Sequence, residues 1–584
     1  MEYDFQNPII VQSDKTVLLD VHSPKFSEAR DALIPFAELE KSPEHLHTYR
    51  ITPLSLWNAA SGGETCDKIT GTLNRLARFP VPQGVLAWIS ETFLKYGAVK
   101  LFLSKEKDSL LLVMEEEKLY RQLLEAKVFK GILNESTVGD LDYIGKEYYN
   151  GARDLYIFRS EIINRGTIKQ KLLKFGWPCS DEIPLEKGEP LEISLKSVSS
   201  TGLPVFLRDY QKAAADALLG DGRPGSGFGT IILPCGAGKT IVGMEIMNRL
   251  KTRTLVVTTN ISAVHQWIRE LKDKTSLADE DIGEYTGECK EVKPVTVATY
   301  QILTWRNEKN KGTREEYPHF SLFTDYKWGL LVFDEVHTLP APVFRVTAEL
   351  QTLYRVGLTA TLVREDGLEG DVFSLVGPKR YDVPWKEMEQ KGWIAGARCG
   401  EIRLNLSFPD EILYSGASLR KKHRIASENI LKDEVVSYLV KNNPDEKILI
   451  IGQYLEQLDR LSKRLGAPVI TGKTPTGERE NLYEGFRQGR IPVLILSKVG
   501  NFAIDLPDAS FAIQVSGTFG SRQEEAQRLG RILRPKEKAY FYSIVTRGTV
   551  EEDFSNNRQK FLAEQGYTYT IQTWNGSELE DIGW

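Results

Sequence analysis

The stretch Gly229-Thr-Ile-Ile-Leu-Pro-Cys-Gly-Ala-Gly-Lys-Thr240 limits the fold more than any other part of this sequence. An apolar run ends at Pro234, a glycine-rich turn follows, and Ile241 to Leu250 carries apolar residues at helical spacing. The pattern is strand, loop, helix. Backbone N–H groups of such a loop converge with the helix N-terminus on one spot, which suits the phosphates of ATP. Gly236, Ala237 and Gly238 would line that cradle. Lys239 would reach the outer phosphates, and the Thr240 hydroxyl would hold Mg²⁺. Leu233 stands where the full pattern has glycine, and a glycine turn with a surface lysine would look much the same. The remaining chain has to decide between them.

A length of 584 residues implies several domains. With 41% hydrophobic and 27% charged residues, the composition is that of a soluble globular protein. A formal net charge of −5 argues against bulk electrostatic binding of nucleic acid, but not against a local basic channel on an acidic body. The five cysteines are scattered without a C-x-x-C pair, so neither zinc nor a disulfide framework is indicated. His45 and His47, two apart with no further ligand beside them, read as loop residues rather than a metal site. No basic-then-apolar leader opens the chain, and no run reaches the ~20 apolar residues a membrane helix needs. A cytoplasmic, reducing location without a membrane is expected.

Residues 1–130 read as a mixed accessory domain. Ile9–Val11 and Thr16–Asp20 lie in strand-like runs, and Ala29–Leu39, Pro53–Ala60 and Pro82–Tyr96 have helical spacing. Residues 131–203 hold a short basic helix near Ile168–Phe175, an alternating edge strand at Leu191–Leu195, and a linker at Ser197–Pro204. From Val205 strands alternate with helices, which implies parallel α/β layers. Strand candidates begin at Thr230, Thr254, Val295, Leu330 and Tyr354. A less regular stretch runs from Trp385 to Ser427, and a second alternating set follows from Lys447.

Several residues in these α/β units carry chemistry. Leu330-Leu-Val-Phe-Asp334-Glu335-Val-His337 ends an apolar strand in two carboxylates, and doubly wound sheets place functional groups at strand C-termini. Asp334 would hold Mg²⁺ opposite Thr240, and Glu335 would deprotonate the attacking water. Thr359 and Thr361 end the next strand, where they could hydrogen-bond His337 or the carboxylate pair. Gln527, Arg531 and Arg534 lie on a helical stretch in which the two arginines share a face, as fingers for a triphosphate would. Gln211, with Arg208 close by, can offer donor and acceptor to an adenine edge. Ser418–Arg424 is a basic run that could track phosphates. Arg364-Glu365-Asp366, taken alone, is a solvated charged loop.

Together these stretches resemble superfamily 2 helicases, and the XPB family in particular. The likeness is carried by the loop running into Ile241-Val-Gly243, by Asp334-Glu-Val-His337, and by Gly357-Leu-Thr-Ala-Thr-Leu-Val-Arg-Glu-Asp366. Ser497-Lys-Val-Gly500 and Glu525-Ala-Gln-Arg-Leu-Gly-Arg-Ile-Leu-Arg534 add to it, and Pro43–Arg50 extends it to the N-terminal region. The resemblance implies an α/β protein with two tandem RecA-like parallel-sheet domains, at 204–394 and 395–584, preceded by α+β accessory domains. The segment 131–203 would be a damage-recognition-like domain, and 407–431 a short basic thumb-like insertion.

The implied activity is ATP-driven 3′-to-5′ unwinding of, or translocation on, single-stranded or forked DNA in repair or transcription, with ATP and Mg²⁺ as cofactors. His337, Thr359, Thr361, Arg364, Glu365 and Asp366 would couple ATP to DNA, the charged triplet as the strand-separating element. An ATP-gated remodeller that recruits a nuclease is the alternative. A nuclease partner, a monomeric state, and a nucleoid association if the source is prokaryotic complete the expectation.

Overall fold

The structure, a computed structural model, describes residues 6–33, 35–41, 45–141, 145–146, 149, 154–185, 187–220, 226–234, 236–308, 317–339, 354–361, 369–383, 385–497, 509–517, 528–529, 539–565 and 567–581. It divides into two compact units, one of residues 1–232 and 239–382, the other of residues 233–238 and 383–584.

The first unit begins with an antiparallel four-stranded sheet in the order Ile9–Val11, Thr16–Asp20, Leu46–Arg50, Glu38–Lys41. Val17 and Leu19 alternate into its core. The helix expected over Ala29–Leu39 is Phe26–Leu33. Pro35 has no N–H and its ring clashes with the preceding turn, so the helix stops and Glu38–Lys41 becomes a strand. A five-stranded sheet follows, ordered Asn134–Ser136, Tyr156–Glu161, Ser109–Met114, Lys100–Leu103, Ser180–Asp181. It takes strands from both sides of residue 130. Its central strand, Ser109–Met114, is buried along its whole length, which explains an unbroken apolar run instead of alternation.

No strand forms at Leu191–Leu195; the segment instead makes isolated bridges from Pro190 to Thr252 and from Leu195 to Thr275. Chain and linker are then tied down by Lys196 N to Lys274 O at 2.8 Å and Ser200 N to Asp273 Oδ1 at 2.8 Å. The stretch read as a free linker is therefore fastened along the α/β layer.

That layer is a seven-stranded sheet. Its strands are β1 (Phe228–Ile232), β2 (Thr254–Thr258), β3 (Ile282–Tyr285), β4 (Val295–Thr299), β5 (Leu330–Asp334), β6 (Tyr354–Thr359) and β7 (Lys379–Asp382). The order is β3-β4-β2-β5-β6-β1-β7, and every pairing is parallel. β1, β2 and β4 are buried throughout, as expected of strands covered on both faces. Helices α1 (Asp209–Leu219), α2 (Lys239–Leu250), α3 (Ile261–Lys274) and α4 (Tyr300–Leu303) intervene. Register brings the strand ends together: Thr359 lies opposite Ile232, and Asp334 opposite Leu358.

The second unit is an eight-stranded sheet, parallel except for its last pair, Tyr569–Trp574 with Leu579–Asp581. Ala397–Leu404, inside the stretch read as irregular, is one of its interior strands. Glu401 and Arg403 break the apolar pattern there. Burial of Glu401 is compensated by Ser555 at 2.9 Å and Gln559 at 2.6 Å, which only the fold supplies. Residues 407–431 contain two helices, Phe408–Ser415 and Leu419–Ser427.

Candidate functional site

Gly236 and Gly238 have φ of +80° and +78°, left-handed conformations that glycine adopts without steric cost. Two such glycines ahead of α2 form a concave nest of backbone N–H groups at a helix N-terminus. Lys239 and Thr240 open that helix. Lys239 Nζ stands 3.3 Å from Glu335 Oε1, in a setting that leaves the two side chains 11% and 22% exposed.

Asp334 ends β5 and is held on three sides. Trp267 Nε1 donates to Oδ2 at 2.9 Å, the Glu335 N–H donates to Oδ1 at 3.1 Å, and the Tyr300 hydroxyl donates to its carbonyl at 3.0 Å. Trp267 comes from α3 and can lie against α2 only because residue 243 is glycine. A Cβ at Gly243 would sit 2.7 Å from the indole. Burial, with the neighbouring Glu335 charge adding to it, pushes the Asp334 carboxyl up to about 6, while Lys239 pulls the other way. Burial and the same two carboxylates raise the Tyr300 phenol well above its usual range, so it stays a neutral donor.

Glu335 has φ 49° and ψ 52°, a left-handed conformation that costs a residue with a Cβ ~1–2 kcal/mol. The turn directs the chain into a short 3₁₀ segment, Val336–Thr338, closed by Thr338 Oγ1 donating to Glu335 O at 2.8 Å. It also buries His337 against β6. The Thr359 hydroxyl donates to Thr361 O, at 2.5 Å, so its oxygen is left to accept from His337 Nδ1 at 2.6 Å. Nδ1 therefore carries the proton. Gly357 permits this approach, because a Cβ there would lie 2.9 Å from Val336. The alternative left open for Thr359 resolves toward His337.

Gln211 is buried on α1, which packs on α2 and β1. Its Oε1 accepts from the Arg208 N–H at 2.9 Å, and its Nε2 lies 3.3 Å from the Tyr210 hydroxyl. The side chain thus also caps its own helix. Gln527, Arg531 and Arg534 lie outside the described residues, as do Arg364, Glu365 and Asp366. Their neighbour Arg528 is described: it is buried and donates to Gln514 Oε1. No group of three or more His, Cys, Asp or Glu side chains among the described residues could hold a metal. His45 Nδ1 lies 2.7 Å from His22 Nε2, and His47 is buried in a strand. No described helix is long and apolar enough to cross a membrane.

Trp267 and Tyr300 were missed in the sequence because they belong to no phosphate or carboxylate pattern. Gly243 was the available signal, a helix-interior glycine whose presence asks what packs against it.

A buried parallel strand, a glycine-rich turn and a helix opening with Lys239, whose ammonium meets the Asp-Glu pair at the end of β5 two places along the sheet, define a nucleotide-hydrolysing α/β protein of the P-loop kind. The comparisons with known proteins narrow this. A family model described as "ERCC3/RAD25/XPB C-terminal helicase" matches residues 388–581, one described as "Type III restriction enzyme, res subunit" matches 205–364, and one described as "Helicase conserved C-terminal domain" matches 9–137. A Mycobacterium tuberculosis protein named DNA 3′-5′ helicase XPB is 48% identical, over 97% of both chains. Its Kineococcus radiotolerans namesake is 47% identical, over 97% of this chain and 96% of that one. The Encephalitozoon cuniculi XPB helicase/translocase subunit of general transcription and DNA repair factor IIH is 33% identical, over 97% of this chain and 83% of its own. The chain belongs to the XPB family of helicases.

Proposed function

We propose that this chain is an ATP-dependent DNA helicase or translocase of 3′-to-5′ polarity, acting in DNA repair or transcription-coupled processes. The observation that carries the reading is the Lys239–Glu335 pair at 3.3 Å beside the half-buried Asp334, at the C-terminal edge of the sheet. The nest at Gly236–Gly238 and Lys239 bind the phosphates. Glu335 takes the proton of the water that attacks the terminal phosphorus, as the bond to ADP breaks. Thr240 and Asp334 are the hard oxygen donors that would hold Mg²⁺, which supplies charge neutralisation at the phosphates. The restraint of Asp334 by Trp267 and Glu335 N–H fits that task, since both its oxygens are already oriented.

Gln211 and Arg208 are proposed to recognise adenine, and His337, Thr359 and Thr361 to relay the state of Glu335 to β6. For Gln527, Arg531 and Arg534 as further catalytic residues, and for Arg364, Glu365 and Asp366 as the strand-separating element, the support is their sequence pattern. A monomer acting on single-stranded or forked DNA inside the cell, with a nuclease partner, completes the reading.

The test is ATP hydrolysis measured with single-stranded, forked and duplex DNA and with RNA, together with displacement of a labelled strand from a fork. DNA-stimulated turnover with displacement is expected. Stimulation by RNA alone would overturn the reading, and DNA-stimulated turnover without displacement would favour a remodeller. Alanine at Arg364, Glu365 and Asp366 is expected to keep hydrolysis and abolish displacement.

A further inference from the structure

Four and five strands away from β1 and its nucleotide loop, the same C-terminal edge of the sheet carries a second constellation. β3 and β4 end there, at Tyr285 and Thr299. Thr299 caps α4, and the chain then turns so that Trp305 N bonds Ile302 O at 3.2 Å. Trp305 is 52% exposed, whereas Trp267, Trp328 and Trp385 are each 1% exposed. Its ring is not loosely held. His319 stands against it at 5.9 Å between centroids and 63° between planes. Tyr285 fixes His319 in turn, with its hydroxyl 2.9 Å from Nδ1 and the rings 5.7 Å apart at 75°. Arg306 follows Trp305 directly, with its Nε 4.0 Å from Glu308 Oε1, and the charge of Lys290 acts on His319.

A large aromatic ring, braced from one side and open on another, with basic residues close along the chain and around its brace, is the arrangement that single-stranded nucleic acid uses. Every base has a π-face to stack, and phosphates meet the cations. Ligands of parallel α/β sheets also gather at this edge. We propose that Trp305 is a stacking platform for one base of single-stranded DNA, with His319 and Tyr285 as its brace. The assignment deepens the reading of the protein as a DNA-acting enzyme, and rests on it.

The test measures affinity of the full chain for two labelled oligonucleotides of equal length, one of mixed sequence and one abasic, across a salt series. Wild type is expected to favour the base-bearing strand. Trp305→Ala is expected to bind that strand about tenfold more weakly and the abasic strand as wild type does, with an unchanged salt slope, because stacking releases no counterions. Trp305→Phe keeps a π-face and is expected to retain most of the preference. Melting temperature monitors folding of each variant. Equal binding of both strands by wild type and Trp305→Ala, as a protein-docking tryptophan would give, overturns the platform. So does an equal loss on both strands. If wild type binds neither DNA, the broader DNA reading fails instead.

Discussion

The two edges of the seven-stranded sheet hold clusters built from the same kinds of side chain. At the C-terminal edge two carboxylates, Asp334 and Glu335, face one lysine, Lys239. At the N-terminal edge the proportion is reversed. Asp181 is gripped by Arg165, at 2.6 and 3.1 Å, and by Lys169 at 3.1 Å. Lys169, Arg355 and Arg380 stand 5.3, 5.3 and 5.6 Å from the ring of Phe228, which begins β1. Burial pushes both carboxyls upward, but the outcomes oppose each other. Asp334, beside a second carboxylate, rises to about 6. Asp181, between two cations, is driven well below the usual carboxylate range. The ratio of charges, not burial alone, separates the carboxyl that rises from the one that falls.

The largest expected effect is at the C-terminal edge. Glu335→Gln should lower DNA-stimulated ATP turnover about 10²–10⁴-fold, the range for loss of a general base. Lys239→Ala should likewise abolish turnover, and neither variant should lower the melting temperature appreciably. Hydrolysis at the wild-type rate in either would break the contrast. At the other edge Asp181→Ala should cost about 3–5 kcal/mol of stability in denaturant titration, because it strands buried cations. Turnover per folded molecule should persist. An unfolding midpoint unmoved by this change would make the knot ornamental.

pH sharpens the same point. A carboxylate whose folded pKa is depressed contributes stability above its unfolded pKa, about 3.9, and loses it as pH falls toward the folded value. The stability gap between wild type and Asp181→Asn should therefore be level above about pH 4 and narrow in more acidic solution. A gap that widens there would reverse the assignment. The smallest expected effect is Thr359→Val, which removes the 2.6 Å acceptor of the buried His337 N–H and leaves Glu335 Oε2 at 3.5 Å in its place, at a cost of about 1–3 kcal/mol. ATP turnover should survive while strand displacement slows, as comparison of the two rates would show.

The C-terminal edge was largely legible in the sequence. Gly236, Gly238, Lys239, Thr240, Asp334 and Glu335 sit in short patterns whose spacing is set by one loop or one strand end. The N-terminal edge was not, since Arg165, Lys169, Asp181, Phe228, Arg355 and Arg380 come from five separate elements and share no spacing. The same reason hid Trp267 and Tyr300. Ala397–Leu404 was obscured differently: Glu401 and Arg403 read as surface residues until Ser555 and Gln559 arrive from a helix some 150 residues later. At Pro35 the rule was local, and reading helical spacing ahead of the proline produced the error.

The sequence alone determined the alternation of strands and helices and the glycine-rich turn between β1 and α2. It also placed two carboxylates at the end of β5, because backbone periodicity and turn chemistry are local properties. Tertiary structure decided the rest. Parallel register set Asp334 opposite Leu358 and Thr359 opposite Ile232, which brought His337 to Thr359 and fixed its proton on Nδ1. Close packing put Trp267 against Gly243 and onto Asp334. Which carboxylate rises and which falls depends on charges brought from distant parts of the chain, and only the folded arrangement places them within a few ångströms.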